Sequence, residues 1–408
     1  MRSYSVALRR FQTPQGQARG ILQNANTYQP SIIGSLYEAS LSRRCASPNT
    51  LYRALTSAQA LLSWANDTNI DLERQLLAGI PLDIRDIEAF AHWLEMRCRK
   101  DAATLTRASI KTYNAHLAGA ERMVTWFVDQ YYDIAHEKLP RGVLLDALHR
   151  TSRRAWKSQH IKEAADSAAP DLSDDDISTV ETFLHSAAKA NNAEPRWVRA
   201  YLIWRLAIEF GMRIGEILAL RLEDCPSRAN PAFRVVRIED RKGSPDPRGV
   251  YAPRPKTLGR DLAPILSNTA FPHLVIDYQV DHRLKRVRRA SGRVVRRPVL
   301  SHTYLLVDDE GNPLSVFTAR NLAKAIEHNT GVLFSWHLAR HAFFNRAYSA
   351  VAGIEFPTER TIRLGDLIYW GGWRDPGSLD CYVRRARKDR ARTGIAIWNG
   401  SNRWDALE

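Results

Sequence analysis

Arg213 and Glu216 stand three residues apart in Gly211-Met212-Arg213-Ile214-Gly215-Glu216. On a helix that spacing lays a carboxylate beside a guanidinium and fixes its direction. Lys256 follows in a turn-rich stretch that leads to Arg260 and Pro264, and Lys242, next to a glycine, is the other lysine of that region. His337 and Arg340 are again three apart, in Trp336-His337-Leu338-Ala339-Arg340-His341, and nine residues separate Trp373 from Tyr382. Singly these are a surface ion pair, a hairpin lysine and a packed tyrosine. Together they contain every part of a metal-free phosphoryl transfer to a side-chain nucleophile. Two arginines can clamp the non-bridging oxygens and stabilise a pentacoordinate phosphorus. A tyrosine hydroxyl, with a pKa of about 10, attacks at neutral pH only with the help of a cationic pocket or a base. His337 can move that proton, and a lysine whose pKa is lowered by neighbouring arginines can protonate the departing oxygen. His337 and His341, four apart, have a metal-binding spacing, but a zincin glutamate and a third ligand are missing. Neither a metal nor any other cofactor is expected.

These residues need a scaffold, and the composition allows a large one. The chain has 408 residues, 44% hydrophobic and 25% charged, which excludes a disulfide-stapled miniprotein, wholesale disorder and a fibrous repeat. Its 59 Lys and Arg against 44 Asp and Glu leave a net charge of +15, the balance of a protein that meets polyanions. Cys45, Cys98, Cys225 and Cys381 are widely spaced with no C-x-x-C pair, which fits a reducing cytoplasm. A signal-peptide core and a membrane-spanning apolar run are both lacking from the sequence, so a cytoplasmic protein is expected. From His282 to Arg297 the chain carries eight Lys or Arg and no acid. Within that run Arg283, Lys285, Arg286, Arg288, Arg289 and Arg293 are candidate phosphate contacts, against the alternative of a solvated helix face and loop.

Periodicity divides the chain. Residues 1–47 are polar and expected to be a flexible or weakly helical arm. Apolar residues at helical spacing recur from Leu51 to Ala65, Ile84 to Arg99, Ser109 to Tyr131 and Leu144 to Trp156, so residues 48–150 form an all-α bundle. Residues 151–171 are a linker. Ser173 followed by Asp174, Asp175 and Asp176 caps a new helix, opening a mixed α+β domain over residues 172–395. In it Trp197 to Leu220 is expected as one helix, with short strands near Phe233 to Ile238 and Asp261 to Ile265. Residues 396–408 are a tail.

The combination resembles the tyrosine recombinases, or phage-type integrases. Gly211, Arg213 and Glu216 match the family's G-x-R-x-x-E, Lys256 its hairpin lysine, His337 and Arg340 its H-x-x-R, and Tyr382 its nucleophile. Trp373, nine residues before Tyr382, is similar to the Trp-bearing variant of the site in the recombinase Cre. The resemblance covers about residues 48–395, and the stretch 350–369 is longer than usual. It implies a multidomain fold: an N-terminal helical, SAM-like core-binding domain and a catalytic domain that together clamp duplex DNA. It implies a DNA strand-transferase that forms a 3′-phosphotyrosyl link through Tyr382, without a metal. Arg213, Arg340 and Trp373 would hold the phosphate, Lys256 act as acid and Glu216 orient. Expected partners are double-stranded DNA with an inverted-repeat core site, three further copies in a homotetramer and a DNA-bending accessory protein. The expected location is cytoplasmic and nucleoid-associated, with a bacterial or phage origin. A type IB topoisomerase-like transferase, or an accessory DNA-binding protein without catalysis, would be built from nearly the same residues.

Overall fold

The structure, a computed structural model, describes residues 4–44, 47–99, 105–132, 141–162, 171–227, 231–237, 240–241, 246–253, 258–263, 270–289, 291, 293–384, 387 and 390–391. It is mostly helical with three two-stranded sheets among the described residues, and it divides into compact units at Met1–Ser167 and Ala168–Glu408. None of the described helices is long and apolar enough to cross a membrane.

In the first unit, six helices carry the apolar stripes: α1 (Ile32–Arg44), α2 (Pro48–Asp67), α3 (Leu72–Leu77), α4 (Ile84–Arg99), α5 (Arg107–Tyr131) and α6 (Arg141–Ser158). Leu55, Leu61, Phe90, Leu117 and Phe127 from α2, α4 and α5 are wholly buried. The flexible arm expected over residues 1–47 is corrected: β1 (Val6–Gln12) and β2 (Ala18–Asn24) form an antiparallel hairpin, and α1 follows it. Leu22, Ile33 and Tyr37 join the same core as α2 and α5. The polar residues of the segment are used in bonding: Arg19 pairs with the buried Glu38 through two contacts of 2.7 and 2.8 Å, and the Val6 carbonyl accepts from Gln59 Nε2 of α2 at 2.9 Å. The expected linker also begins late, because α6 continues through Ser158.

In the second unit Ser173 caps α7 (Asp174–Lys189) in a reciprocal capping box with Asp176, as its sequence suggested. The central helix α8 (Pro195–Phe210) is apolar nearly all round and is buried accordingly, with Trp204, Leu202 and Ala207 fully enclosed. The single helix expected from Trp197 to Leu220 is broken. Gly211 adopts φ +60, a left-handed conformation that ends α8, and the chain restarts as the one-turn α9 (Ile214–Ile217). Strands β3 (Phe233–Val235) and β4 (Arg260–Leu262) pair antiparallel. After α10 (Ala270–Asp277) the basic run forms neither helix nor loop but the hairpin β5 (Leu284–Arg288) and β6 (Val294–Pro298). Then come α11 (Val316–Thr330), α12 (Trp336–Ala352) and α13 (Pro357–Gly371), the last of which accounts for the long stretch 350–369.

Arg283 differs from the other cations of that run. It is buried, and its guanidinium donates to the carbonyls of Tyr304 (2.9 Å), Val299 and His302 at the foot of the β5–β6 hairpin. Its guanidinium is committed to these three carbonyls and anchors the hairpin. Arg283→Ala would strand three carbonyl acceptors, two of them on buried residues, and is expected to lower unfolding free energy by roughly 2–4 kcal/mol. Thermal melting of the variant checks this, and an unchanged melting curve would remove the anchoring role.

Candidate active site

Two helix C-termini meet at this site. A helix leaves its last carbonyls without partners and carries negative potential there, so cationic donors are the natural complement. Here α8 ends at Gly211 and α13 at Gly371, with Gly372 in the left-handed conformation behind it. Arg340, on the first turns of α12, donates to the carbonyls of Gly211 and Gly371, the latter at 3.1 Å. Arg213 Nη1 donates to the same Gly371 carbonyl at 3.0 Å. One peptide oxygen thus holds both guanidiniums in place.

Glu216 supplies the negative charge. Its carboxylate accepts from the Arg213 backbone N–H at 2.9 Å and from Arg213 Nη1 at 3.4 Å. Because Arg213 caps α9 and does not lie within a continuous helix, the pair is joined through the backbone as well as the side chain. Glu216 also takes a two-pronged contact from Arg260 of β4, at 3.2 and 3.0 Å, and both of those side chains are completely buried. Arg260 Nε continues to the Trp370 carbonyl at 2.6 Å, and the Leu258 N–H donates to the Gly372 carbonyl at 3.3 Å. The start of β4 is therefore fastened to the end of α13.

Among the described residues the cluster holds three guanidiniums against one carboxylate, so these groups carry residual positive charge in a mostly dry setting. Burial, and after it the neighbouring Arg213, pushes Arg340 down to about 9, still cationic at neutral pH. Burial also holds Arg213 below its ordinary value, with Glu216 opposing. Arg213 remains partly open to solvent, with 30% of its side chain exposed, and offers the approach for an anion.

Tyr382 follows the 3₁₀ turn Pro376–Leu379, in helical residues 380–384, and is buried beside the cluster. Its ring lies 5.5 Å from that of His341, 5.7 Å from Phe344 and 5.8 Å from Trp373, centroid to centroid. Burial pushes its hydroxyl up to about 12, outweighing the opposing influence of Arg340 and Arg213. The cationic pocket is present, but in this state the phenol keeps its proton. Trp373 stacks its ring near the Arg340 guanidinium, 5.3 Å to the centroid, and covers Gly371, where an added Cβ would lie 2.4 Å from the indole. Its ring thereby backs the arginine and packs against Gly371.

His337 and His341, one turn apart on α12, face each other with their Nε2 atoms 2.8 Å apart, so one donates and the other accepts. Partial loss of water, then Arg340 and Arg213, hold His337 below the usual imidazole range. Burial, then His337 and Arg340, push His341 down to about 4. Unfolded histidine titrates near pH 6.5. Between those values the unfolded chain binds the proton and the folded one does not, so stability is full above about pH 6.5 and falls as pH drops towards 4. His341→Gln is expected to flatten the melting-temperature profile across that window. Parallel profiles for the variant and the parent would contradict it.

Arg213, Glu216, His337, Arg340, Trp373 and Tyr382 are thus brought into one place, whereas Lys256 and Lys242 lie outside the described residues. The sequence reading passed over Arg260 as a site residue, the Gly371 carbonyl and the contact of His341 with its neighbour. The Gly371-Gly372 doublet after an apolar helical pattern was the available sign of a helix end. Among the described residues no group of three or more His, Cys, Asp or Glu gathers to hold a metal.

No family model matches the sequence, and no curated protein does. Solved structures do resemble it. The integrase of transposon Tn1549, in complex with transposon right end DNA, aligns over 89% of this chain and 99% of that chain at 13% identity, with a TM-score of 0.52. A variant of it with circular intermediate DNA aligns over 88% and 99% at 15% identity, with a TM-score of 0.50. The XerH site-specific recombinase bound to its difH substrate aligns over 88% and 84% at 15% identity, with a TM-score of 0.49. The chain thus has the fold of the tyrosine recombinases.

Proposed function

We propose that this protein is a site-specific tyrosine recombinase, an integrase that cleaves and rejoins duplex DNA to integrate or excise a mobile element. The observation that carries the proposal is the gathering of Arg213, Arg260 and Arg340 around one carboxylate, Glu216, with Tyr382 alongside. Such a cluster calls for an anion, and Tn1549 integrase, which shares the fold, was solved on DNA.

In the reaction, Tyr382 Oη attacks the scissile phosphorus. The Oη–P bond forms as the bond from phosphorus to the 5′ oxygen breaks, leaving a 3′-phosphotyrosyl link and a 5′-hydroxyl. With its hydroxyl pushed up by burial, Tyr382 gives up its proton during the attack and not before it, and His337 assists that transfer; the 5.5 Å between the His341 and Tyr382 rings supports the reading. Arg213 and Arg340 hold the phosphate oxygens, Glu216 orients Arg213, and the Trp373 indole N–H is the further donor. Lys256 protonates the leaving oxygen; its sequence spacing to Arg260 and Pro264 favours it over Lys242. A second 5′-hydroxyl then reverses the step on a partner strand, so the phosphodiester energy is kept and no metal or nucleotide is consumed.

Exchange of four strands calls for a homotetramer on an inverted-repeat core site, with a DNA-bending accessory protein. Residues 1–167 would act as the core-binding domain, and residues 396–408, outside the described residues, as a docking segment between protomers. Nucleoid-associated work in the cytoplasm follows from that role. The test is covalent capture on nicked duplexes drawn from the DNA flanking the gene. The parent chain is expected to yield a denaturant-resistant adduct, and Tyr382→Phe to yield none while binding the same DNA with similar affinity. An adduct that persists in Tyr382→Phe, or none from the parent, overturns the proposal.

A further inference from the structure

The β5–β6 hairpin presents a run of cations that the catalytic cluster does not use. Between Leu284 and Pro298 lie Lys285, Arg286, Arg288, Arg289, Arg293, Arg296 and Arg297, with no acid. The register sets like charges opposite one another: Lys285 faces Arg297, and Arg286 faces Arg296. Directly opposed residues share a face with their Cβ atoms about 5 Å apart, so these pairs repel. Among the described residues, only Asp309 makes an ion pair with the hairpin, to Arg286 at 3.2 Å, and it is shared with the enclosed Arg199 at 2.9 Å.

The hairpin is nevertheless built to hold its shape. Arg283 ties its foot to three carbonyls, the Arg286 N–H donates to the Asp309 carbonyl at 2.8 Å, and the Lys285 stem lies against Gly311. Beyond that foot Arg288, Arg289, Arg293, Arg296 and Arg297 are all exposed. A rigid base means that little ordering entropy is lost when a ligand settles on the ribbon. Strand alternation also puts cations on both faces, with Arg286, Arg288 and Arg296 on one and Lys285 and Arg297 on the other. A flat anionic surface would satisfy one face only. A DNA groove has a phosphate wall on each side, and the major groove, about 12 Å wide, admits a two-stranded ribbon.

We infer that β5–β6 is a groove-entering arm that grips duplex DNA through phosphates on both walls, apart from the site of cleavage. This rests on the recombinase reading for its choice of DNA, and its test separates the two. Binding of the full chain to duplex of scrambled sequence is measured across a salt series for the parent, for Arg288→Ala/Arg293→Ala/Arg296→Ala, and for the same three positions changed to lysine. Each lost phosphate contact should make the log-log salt slope shallower by about 0.9, so the alanine variant should lose about 2 to 3. The lysine variant should keep the parental slope, because a phosphate accepts either cation, whereas a merely structural role would not follow charge. An unchanged slope in the alanine variant overturns the arm even where the parent forms its covalent adduct. A reduced slope without any adduct from the parent upholds the arm while the recombinase reading falls. A parent chain that binds no duplex overturns both.

Discussion

Alanine at Gly371 is expected to reduce covalent adduct formation by about 100-fold or more while the chain stays folded. An added Cβ there would meet the Trp373 ring at 2.4 to 2.6 Å, so the indole or the backbone must move. Either shift disturbs the peptide oxygen that takes hydrogen bonds from Arg213 at 3.0 Å and Arg340 at 3.1 Å. Loss of one aligned donor to a developing charge costs roughly 100- to 1,000-fold in rate, and here two donors share the disturbed anchor. The control lies on the same helix. At Gly365 an added Cβ meets nothing within 4 Å, so Gly365→Ala is expected to leave cleavage near the parental rate and to stabilise the helix slightly. Single-turnover rates on a nicked substrate compare the two. Parental cleavage by Gly371→Ala would mean that the shared carbonyl does not set the geometry of the arginines.

What could be read from the sequence follows the range over which each element is determined. Arg213 with Glu216, and His337 with Arg340, are legible because both partners lie within one turn of chain. Tyr382 is legible from its interval to Trp373. Arg260 was not, since its partner Glu216 is 44 residues away and β4 is only three residues long, too short to show alternation. The break at Gly211 was hidden by apolar residues that continue at helical spacing on both sides of it. The N-terminal hairpin was hidden by composition: the Arg19 side chain bonds to Glu38 of α1, Gln59 of α2 bonds to the Val6 backbone, and the apolar signal is carried by Val6 and Leu22, with Leu8 and Ala18 partly buried against the same core. Arg283 looked like its basic neighbours because a sequence shows charge but not which arginine the fold encloses. The burial of Tyr382 is of the same kind, for its aromatic surroundings come from α12 and from Trp373, and it reverses the simple expectation that adjacent arginines lower a phenol.

Removing the charge of Glu216 is expected to cost both stability and cleavage, and the double-mutant cycle with Arg260 gives the reason. Both side chains are completely buried and joined at 3.0 and 3.2 Å. Breaking a buried ion pair from one side leaves the other charge uncompensated and costs roughly 3–5 kcal/mol. Glu216→Gln therefore takes this buried carboxylate from Arg260, and it also removes the carboxylate that offsets Arg213 and Arg340. Arg260→Met strands Glu216 in turn, though Arg213 still reaches it. The double variant loses no charge balance within the pair, so its melting temperature is expected to lie no lower than that of Glu216→Gln, with a coupling of about 2 kcal/mol or more. Cleavage should separate from stability in this cycle. Arg213 depends on Glu216 for its backbone cap as well as its side-chain contact, so activity should stay low in the double variant even as its melting temperature recovers. Additive losses in stability would show that the two residues act independently, and restored cleavage in the double variant would show that Arg213 holds its position without the carboxylate.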